Sequence, residues 1–502
     1  MPAFRDYKLK LFSISFLFLT VLSGYSNTNS SLYSSEYTIS IKEATIKKAL
    51  VESVLKVEDS SLYMSAIGAN QFPDRWAKFV HNLSAETLDG QAIEIRATDG
   101  GRWEIKCRNG TRIKLSYEVH LDHEDYQWSG GIDGAAYARD WGVFYTGRSI
   151  FIMSGTTEQQ VKVNFKIPQA WKISCPWDTV ENNTSSFLVN NLTALSDAIF
   201  FAGTHEEIIL KREKFQLIFA LGGAAIIAQK ETFANMASGV LDYYINLMGG
   251  VPNPAPDNAF NTSVVVINSS EKTDGEVIGN NISILLEKNG DQMSELIGRF
   301  IFAHEFFHLW SGKSFAPIAN DCEWFKEGFA NYYTLKSLFH IGFLNEDSYL
   351  QVLNNFFYQR YITDTGVGKL SMTDGDQKHD HWGLIYSGGF FVGISQDMII
   401  RASTANEKSL DDVMRTLFKK YGGTNNGYSL EEIEKLISEA SGKDQAGFFK
   451  QYVSGVQQIP LASYLQLAGF DAIEENNSIK IAVKEQAPEL EKKMADGLFG
   501  IN

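Results

Sequence analysis

The chain has 502 residues, of which 44% are apolar and 21% are charged. This composition is typical of a folded globular protein, and it excludes intrinsic disorder, a collagen-like repeat or a coiled coil as the main architecture. The formal net charge is −15, which makes nucleic acid a poor candidate partner because an acidic surface repels phosphate.

The first 26 residues have the pattern of a secretory signal peptide. Arg5, Lys8 and Lys10 precede an apolar run over residues 11–22, and small residues follow it up to Ser26. This run is too short to span a bilayer unaided, so it favours a cleaved signal over a membrane anchor. We therefore expect an extracytoplasmic protein, periplasmic or secreted, with no stable membrane span after cleavage.

Residues 27–200 alternate between apolar and polar side chains, which predicts an antiparallel β domain, most simply a sandwich. Two of the alternating runs, 103–107 and 113–119, flank the dipeptide Asn109-Gly110. This residue pair suits a type I′ turn, because both central positions of that turn have positive φ. The two runs are therefore predicted to pair as a hairpin.

After about residue 200 the apolar spacing becomes helical. Residues 231–247 are predicted to form a helix, and short strands are expected at 263–268 and 281–286. Asp291 is a candidate N-cap for a helix running to Trp310. Because this helix is apolar nearly all round, we expect it to be buried. The chain beyond residue 340 is predicted to be mostly helical.

The predicted buried helix contains the motif H-E-x-x-H, in His304-Glu305-Phe306-Phe307-His308. Residues four apart lie on one helix face, so His304 and His308 can both donate a ring nitrogen to one metal ion. The alternative is a pair of core histidines. It is disfavoured because two imidazoles and a carboxylate are costly to bury unless they are paired or bound to a metal.

A catalytic zinc site needs a third protein ligand as well as an open position for water. Eighteen residues separate His308 from Glu327, which lies in a second segment of helical pattern, 324–332. Two packed helices can bring this carboxylate to the two imidazoles. The spacing therefore predicts one zinc ion per chain, bound by His304, His308 and Glu327.

These motifs resemble those of the gluzincin zinc metallopeptidases, and most closely the glycyl aminopeptidase family, peptidase family M sixty-one, a relative of the aminopeptidase-N and leukotriene hydrolase group. The supporting stretches are 303–313, 324–333 and 448–470, and 101–119 is similar to the family's N-terminal domain. The resemblance implies an α+β multidomain fold. Its expected parts are a signal peptide (1–26), an N-terminal antiparallel β-sandwich domain (27–200), a thermolysin-like catalytic domain (201–340), a helical domain (341–470) and a C-terminal tail (471–502).

The implied activity is hydrolysis of peptide bonds in peptide or protein substrates, in the manner of an aminopeptidase. Zinc lowers the pKa of a water that it binds, and Glu305 is expected to take the proton of that water and pass it to the leaving amine. By resemblance Tyr386 is the hydrogen-bond donor to the oxyanion, with a structural tyrosine as the alternative. Asn331 either supports a ligand or lies at the surface.

Two further groups of polar residues lie near these motifs. His379-Asp380-His381 precedes Tyr386 and either binds metal or substrate or is a polar loop, which is the default. Asp321 and Glu323 lie shortly before the third ligand; either supports that ligand or is a surface charge, which is the default.

One part of the sequence departs from the family pattern. The family has a G-G-L-E-H-like strand before the zinc helix, whose glutamate is expected to meet the free amine of the substrate. In the matching stretch, 275–283, Ile278 and Gly279 replace the glutamate and the histidine, and Glu276 lies nearby. Altered peptidase specificity and a peptidase-fold binding protein therefore remain as alternatives, although a pure binding protein has no need of Glu305.

Overall fold

A computed structural model describes residues 33–128, 134–156, 160–181, 183–288 and 290–501. The predicted signal peptide lies outside the described residues. The N-terminal part consists of strands with two short helices: β1 (Ser35–Ile41), β2 (Lys48–Lys56), β3 (Ser61–Tyr63), β4 (Val80–Thr87), β5 (Ala92–Ile93), β6 (Ile95–Thr98), β7 (Arg102–Ile105), β8 (Arg112–His120), β9 (Tyr137–Arg139), β10 (Gly142–Thr146), α1 (Gly147–Ile150), β11 (Val161–Lys166), β12 (Lys172–Ser174), β13 (Asp178–Val180), β14 (Asn183–Val189), α2 (Leu192–Ser196) and β15 (Ile199–Gly203).

The main sheet of this part has the strand order β13-β14-β11-β1-β2-β8-β4-β5. Its strands alternate buried and partly exposed residues, as β1 and β8 show along their whole length. Two smaller sheets, β12-β15-β10-β9 and β3-β7-β6, contribute to the same apolar core. The sheet is antiparallel apart from the parallel pair β1 and β11, so the expected antiparallel arrangement has this one exception within the described residues.

The predicted hairpin around Asn109-Gly110 is wrong. β7 pairs with β3 and β6, whereas β8 pairs with β2 and β4, so the two runs belong to different sheets. Gly110 has a φ of +84°, but the Asn109 side chain accepts a hydrogen bond from the Asp59 backbone N–H instead of shaping a two-residue turn. The tight turn of this region is at Gly100 and Gly101, both at φ +73°, and it joins β6 to β7.

The second part is a five-stranded sheet with helices packed on it. Its elements are β16 (Glu206–Arg212), β17 (Phe215–Gly222), α3 (Ala224–Ile227), α4 (Lys230–Met248), β18 (Thr262–Ser270), β19 (Asp274–Ile278), β20 (Asn281–Glu287), α5 (Gln292–Phe307) and α6 (Glu323–His340). The strand order is β16-β17-β18-β20-β19, so β19 is an edge strand, antiparallel to β20. α5 lies against β20 and packs on α6.

α5 ends at Phe307, three residues before the predicted end at Trp310. The chain turns after His308, where Gly312 has a φ of +136°, a conformation that favours glycine. One face of α5 is in the core, where Phe302 packs edge-on against Phe219 with ring centroids 5.1 Å apart. The face bearing Phe300 is only partly buried, so the expectation of burial all round is wrong.

The C-terminal part is mostly helical, as predicted. It contains α7 (Glu346–Val352), α8 (Gln359–Thr363), α9 (Gly388–Ser403), α10 (Leu410–Tyr421), α11 (Leu430–Ser441), α12 (Ala446–Phe448), α13 (Leu461–Gln466), β21 (Phe470–Glu475), β22 (Ser478–Val483), α14 (Glu489–Phe499) and the π-helical segments Leu353–Tyr358, Gly383–Ser387 and Phe449–Val453. Among the described helices, the continuous helical run Gly383–Ser403 is long and apolar enough to cross a membrane, but 89% of its apolar window is buried inside the protein.

The expected charged tail after residue 470 is instead folded. β21 and β22 pair as a hairpin, and α14 packs against α6 and α9. The cause is apolar spacing on α14, which buries Met494, Leu498 and Phe499, with the Phe499 ring stacked on Phe339 at 5.1 Å. The structure thus confirms an α+β multidomain fold, in which α6 packs against both α5 and α9.

Candidate active site

α5 and α6 bring the three predicted metal ligands together. The Asp291 side chain caps α5 by accepting a hydrogen bond from the Ser294 backbone N–H at 2.9 Å. His304 lies in the last turn of this helix, and His308 is its C-cap residue. α6 packs against α5 and presents Glu327, which is 6% exposed. Helical spacing within α5 and packing between the two helices thus place all three side chains at one point.

The donor atoms of these residues form a nearly equilateral triangle. The Nε2 atoms of His304 and His308 are 3.2 Å apart. Glu327 Oε2 lies 3.3 Å from His304 Nε2 and 3.2 Å from His308 Nε2. Among the described residues this is the only cluster of at least three such side chains close enough to share a metal ion.

This triangle fits a tetrahedral zinc ion. Zinc–nitrogen and zinc–oxygen bonds of roughly 2.0–2.1 Å give ligand atoms that are about 3.3 Å apart in a tetrahedron. The edges of 3.2–3.3 Å match that value. The Nδ1 atom of His308 lies 2.9 Å from the Ser311 carbonyl oxygen, so it donates there and leaves the Nε2 lone pair for a metal. The donor set, two nitrogens and one oxygen, also suits zinc.

The electrostatic environment keeps Glu327 ionised. Burial acts to raise the pKa of this carboxyl, but His308 and His304 beside it outweigh burial and hold the pKa well below its usual range. A carboxylate rather than a carboxylic acid is the form that binds a metal ion.

The second oxygen of Glu327 faces two lysines that the sequence did not identify as site residues. The Nζ atoms of Lys326 and Lys378 are 3.4 Å and 3.7 Å from Glu327 Oε1. Both lysines also pair with Glu323, at 2.7 Å and 2.6 Å. Glu323 is 7% exposed, so its default role as a surface charge is wrong. These four side chains, Glu323, Lys326, Glu327 and Lys378, form what we call the ligand clamp.

The sequence contained a signal for three of the four residues of the ligand clamp, since Glu327 was already predicted as the third ligand. Glu323 and Lys326 are three residues apart on a helix, which is a spacing at which opposite charges meet. Lys378 lies in a 3-10 turn, Gly375–His379, and no local pattern connects it to α6.

Glu305 and Tyr386 lie beside the triangle in one cleft, which both residues line together with His304 and Asn331. The Tyr386 ring stacks on the Trp382 ring with centroids 4.9 Å apart and lies 6.4 Å from the His304 ring. Burial, together with the charge of Glu327 and Glu305, raises the pKa of Tyr386 far above its usual value. The hydroxyl is therefore protonated and able to donate a hydrogen bond.

Asn331 is fully buried, so the surface alternative for it is wrong. Its Nδ2 atom donates to the backbone oxygen of Tyr386 at 3.3 Å, which ties α6 to the π-helical segment that carries the tyrosine. Asn331 therefore contacts the backbone at Tyr386 rather than the imidazole of a ligand.

The His379-Asp380-His381 group is not part of the site. His381 pairs with Asp364 at 2.8 Å, and the same carboxylate accepts a hydrogen bond from the Leu384 backbone N–H at 3.1 Å. His379 and Asp380 are exposed. The polar-loop alternative is therefore the better description, with His381 and Asp364 bracing the segment that contains Tyr386.

Glu276 lies on β19, the edge strand next to α5. Gly275 and Val277 face α5, since a Cβ at Gly275 would contact Ile301 and Val277 packs into the same core as α5. Successive strand residues face opposite sides, so Glu276 points away from α5, toward Gly134 of the N-terminal part. Glu276 does not line the cleft that contains Glu305.

The ligand clamp generates a test. Glu323→Gln removes the partner of Lys326 and Lys378. The two lysines are then neutralised by Glu327 Oε1 alone, and they pull that carboxylate away from the triangle. We expect zinc affinity to fall about 10- to 100-fold, the usual effect of removing a group that orients a metal ligand. Competition with a zinc chelator would measure it. Glu295→Gln, at an exposed position of α5, is the matched control, and equal affinity in both variants would contradict the role of the clamp.

Comparison with known proteins agrees with this geometry. A model of the peptidase M61 N-terminal domain matches residues 36–204, and a model of the M61 glycyl aminopeptidase matches residues 298–388, a range that includes the triangle, Glu305 and Tyr386. No curated protein is significantly similar in sequence. Among solved structures, an aminopeptidase N family protein from Idiomarina loihiensis has the same fold, with a TM-score of 0.74, 18% identity, and coverage of 88% of this chain and 79% of that chain. The chain therefore belongs to the M61 glycyl aminopeptidase family of peptidases.

Proposed function

We propose that the chain is an exported zinc metallopeptidase that hydrolyses peptide bonds. The observation that supports this most directly is the triangle formed by His304, His308 and Glu327, whose edges of 3.2–3.3 Å fit a tetrahedral zinc ion. Membership of a peptidase family supports the reaction class. Export rests on the basic and apolar start of the sequence, residues 1–26.

Zinc would supply a Lewis acid next to the scissile carbonyl. Glu305 follows the first ligand directly and lines the cleft, so it is placed to take a proton from the attacking water and to deliver it to the leaving amine. Tyr386 holds its proton firmly and donates a hydrogen bond to the oxygen that becomes negative in the transition state. His308, oriented by Ser311, holds its ring in one tautomer throughout.

The role of Glu305 can be separated from metal binding. Glu305→Gln keeps the size of the side chain but removes the base, and we expect peptide hydrolysis to fall about 10²- to 10⁴-fold. Zinc content is expected to stay near one ion per chain, because Glu305 is not one of the three ligands. Metal analysis and turnover of a fluorogenic peptide measure the two properties. A wild-type protein that does not bind zinc would overturn the proposal, and so would an active variant.

Tyr386→Phe removes the hydroxyl and keeps the ring stacked on Trp382. We expect kcat to fall about 10²- to 10³-fold with little change in KM, because the hydroxyl acts in the transition state. Tyr452→Phe is the control, since that tyrosine packs against Phe448 and does not line the cleft that contains Tyr386. An increase in KM with unchanged kcat would instead indicate a structural tyrosine.

A second candidate is a peptidase that does not require a free amino terminus, rather than an aminopeptidase. The observation that favours it is the orientation of Glu276, which points away from α5. Glu323, the other buried carboxylate near the site, is already paired with two lysines. Among the described residues that line the cleft, Glu305 is the one carboxylate, and it is needed as the base.

Paired peptides with free and acetylated amino termini distinguish the two candidates. We expect the zinc-loaded protein to cut acetylated peptides at rates within about tenfold of the free ones, because the loss of an ion pair is costly only where a site is built to hold the charged group. Mass spectrometry of the products locates the cleaved bonds. Strict dependence on a free amine would reject this candidate and establish the aminopeptidase.

A further inference from the structure

α5 has two apolar faces, of which one is buried in the core and the other is only partly buried. The other face lines the cleft of the active site, and Met293 on it is 55% exposed. This face runs along the helix toward His304 and Glu305 through Leu296, Ile297, Phe300 and Ile301. The cavity that it borders has a volume of ≈ 380 Å³. A partly exposed apolar helix face therefore lies right beside Glu305 and His304.

The opposite wall of this cavity is aromatic. Phe356 and Trp382 form it together with Val352 and Tyr386. The Phe300 and Phe356 rings are in contact, with centroids 5.9 Å apart, so the two walls meet there, and Phe356 and Trp382 meet edge-on at 5.6 Å.

Both walls are held in place without a ligand. The guanidinium of Arg360 lies 3.9 Å from the centroid of Phe356 and 4.8 Å from that of Trp382, so it stacks against both rings. Phe356 and Tyr386 are on two of the π-helical segments, which are frequent at functional sites because they displace side chains from regular helical positions. The cavity is thus a preformed feature of the fold.

The composition of the walls defines the chemistry that they can bind. Apart from the catalytic groups, the described lining includes the polar side chains of Asn331 and Arg360. The guanidinium of Arg360 is already in contact with aromatic rings. Apolar and aromatic walls gain free energy by removing apolar surface from water. A glycine at the scissile bond would leave the cavity unfilled, whereas a phenylalanine or leucine side chain would cover it.

We infer that this cavity binds a bulky apolar side chain next to the scissile bond, so that peptides with phenylalanine or leucine there are preferred over peptides with glycine. This inference rests on the proposed peptidase function. It names the substrate class of the same site, and it sets this chain apart from the preference expressed by the name glycyl aminopeptidase.

The test is a set of peptides that differ only at the residues flanking one cleavable bond, with glycine, alanine, leucine or phenylalanine on either side. We expect kcat/KM to rise at least about 100-fold from glycine to phenylalanine on one side of the bond, since each methylene in an apolar pocket contributes roughly 10- to 200-fold. A flat profile, or a preference for glycine on both sides, would overturn the inference while the peptidase function stands.

Binding provides a readout that does not depend on hydrolysis. The zinc-loaded Glu305→Gln protein is titrated with the phenylalanine and glycine peptides by calorimetry, and we expect the phenylalanine peptide to bind at least about tenfold more tightly. If the wild-type protein hydrolyses none of the peptides but this difference is present, the proposed function fails and the pocket assignment holds. Equal affinities would overturn the assignment whether or not hydrolysis is seen.

A larger side chain that fills the cavity is expected to remove the preference for bulky apolar residues. Ile297→Trp replaces an aliphatic side chain on the cleft face of α5 with a bulkier indole ring. We expect the ratio of kcat/KM for phenylalanine over alanine peptides to fall at least about tenfold. Ile209→Trp is the matched control, because Ile209 is 50% exposed on β16, at the opposite edge of the sheet from β19. A cooperative thermal unfolding transition in each variant is the check that both variants are folded. An unchanged ratio in folded Ile297→Trp would overturn the inference.

Discussion

The site depends on the close crossing of α6 and α9. A Cβ atom at Gly328 would lie 2.2 Å from the Gly389 carbonyl carbon, and one at Gly389 would lie 1.9 Å from the Trp324 carbonyl oxygen, so the two helix backbones touch at this crossing. Glu327 precedes the first of these glycines, and Tyr386 comes shortly before the second. A side chain at either glycine would force the helices apart by more than the tolerance of about 0.5 Å that a catalytic arrangement allows.

Charge is the second constraint, because a buried carboxylate needs compensation even before a metal binds. Glu327 has imidazoles on one oxygen and lysines on the other, and Glu323 balances those lysines. The ligand clamp contains two negative and two positive side chains, so it adds no net charge to the site. Under the proposed function, the positive charge of a zinc ion held there would therefore remain available to polarise a substrate carbonyl. This balance explains why Glu323 is buried although it is not a ligand.

Local pattern predicted the parts of the site that local geometry determines. His304, Glu305 and His308 are related by helical spacing alone, and the motif around Glu327 placed the third ligand on a second helix. The hairpin at Asn109-Gly110 failed because a turn-forming dipeptide does not select which strands pair. Lys378 was missed because its partners come from tertiary packing of a turn 51 residues beyond Glu327. The folded C-terminus was missed for the same reason. Its many charged residues suggested a solvated tail, and the apolar face of α14 is recognisable only from its packing against α6 and α9.

The error about α5 is the most informative, because the sequence cannot distinguish an apolar face that packs in the core from one that lines a cleft. Both faces have helical spacing and similar residues. Phe302 and Phe306 on the core face hold the ligands in register with the sheet, so they cannot change without moving the metal site. On the other face, Leu296, Ile297 and Phe300 line the cleft, and Phe300 also stacks on the His304 ring with centroids 5.9 Å apart. Under the proposed function, a change at Ile297 would alter the specificity of the cleft while the predicted metal ligands and Glu305 stay in place, so the H-E-x-x-H motif by itself does not predict which residue the peptidase prefers.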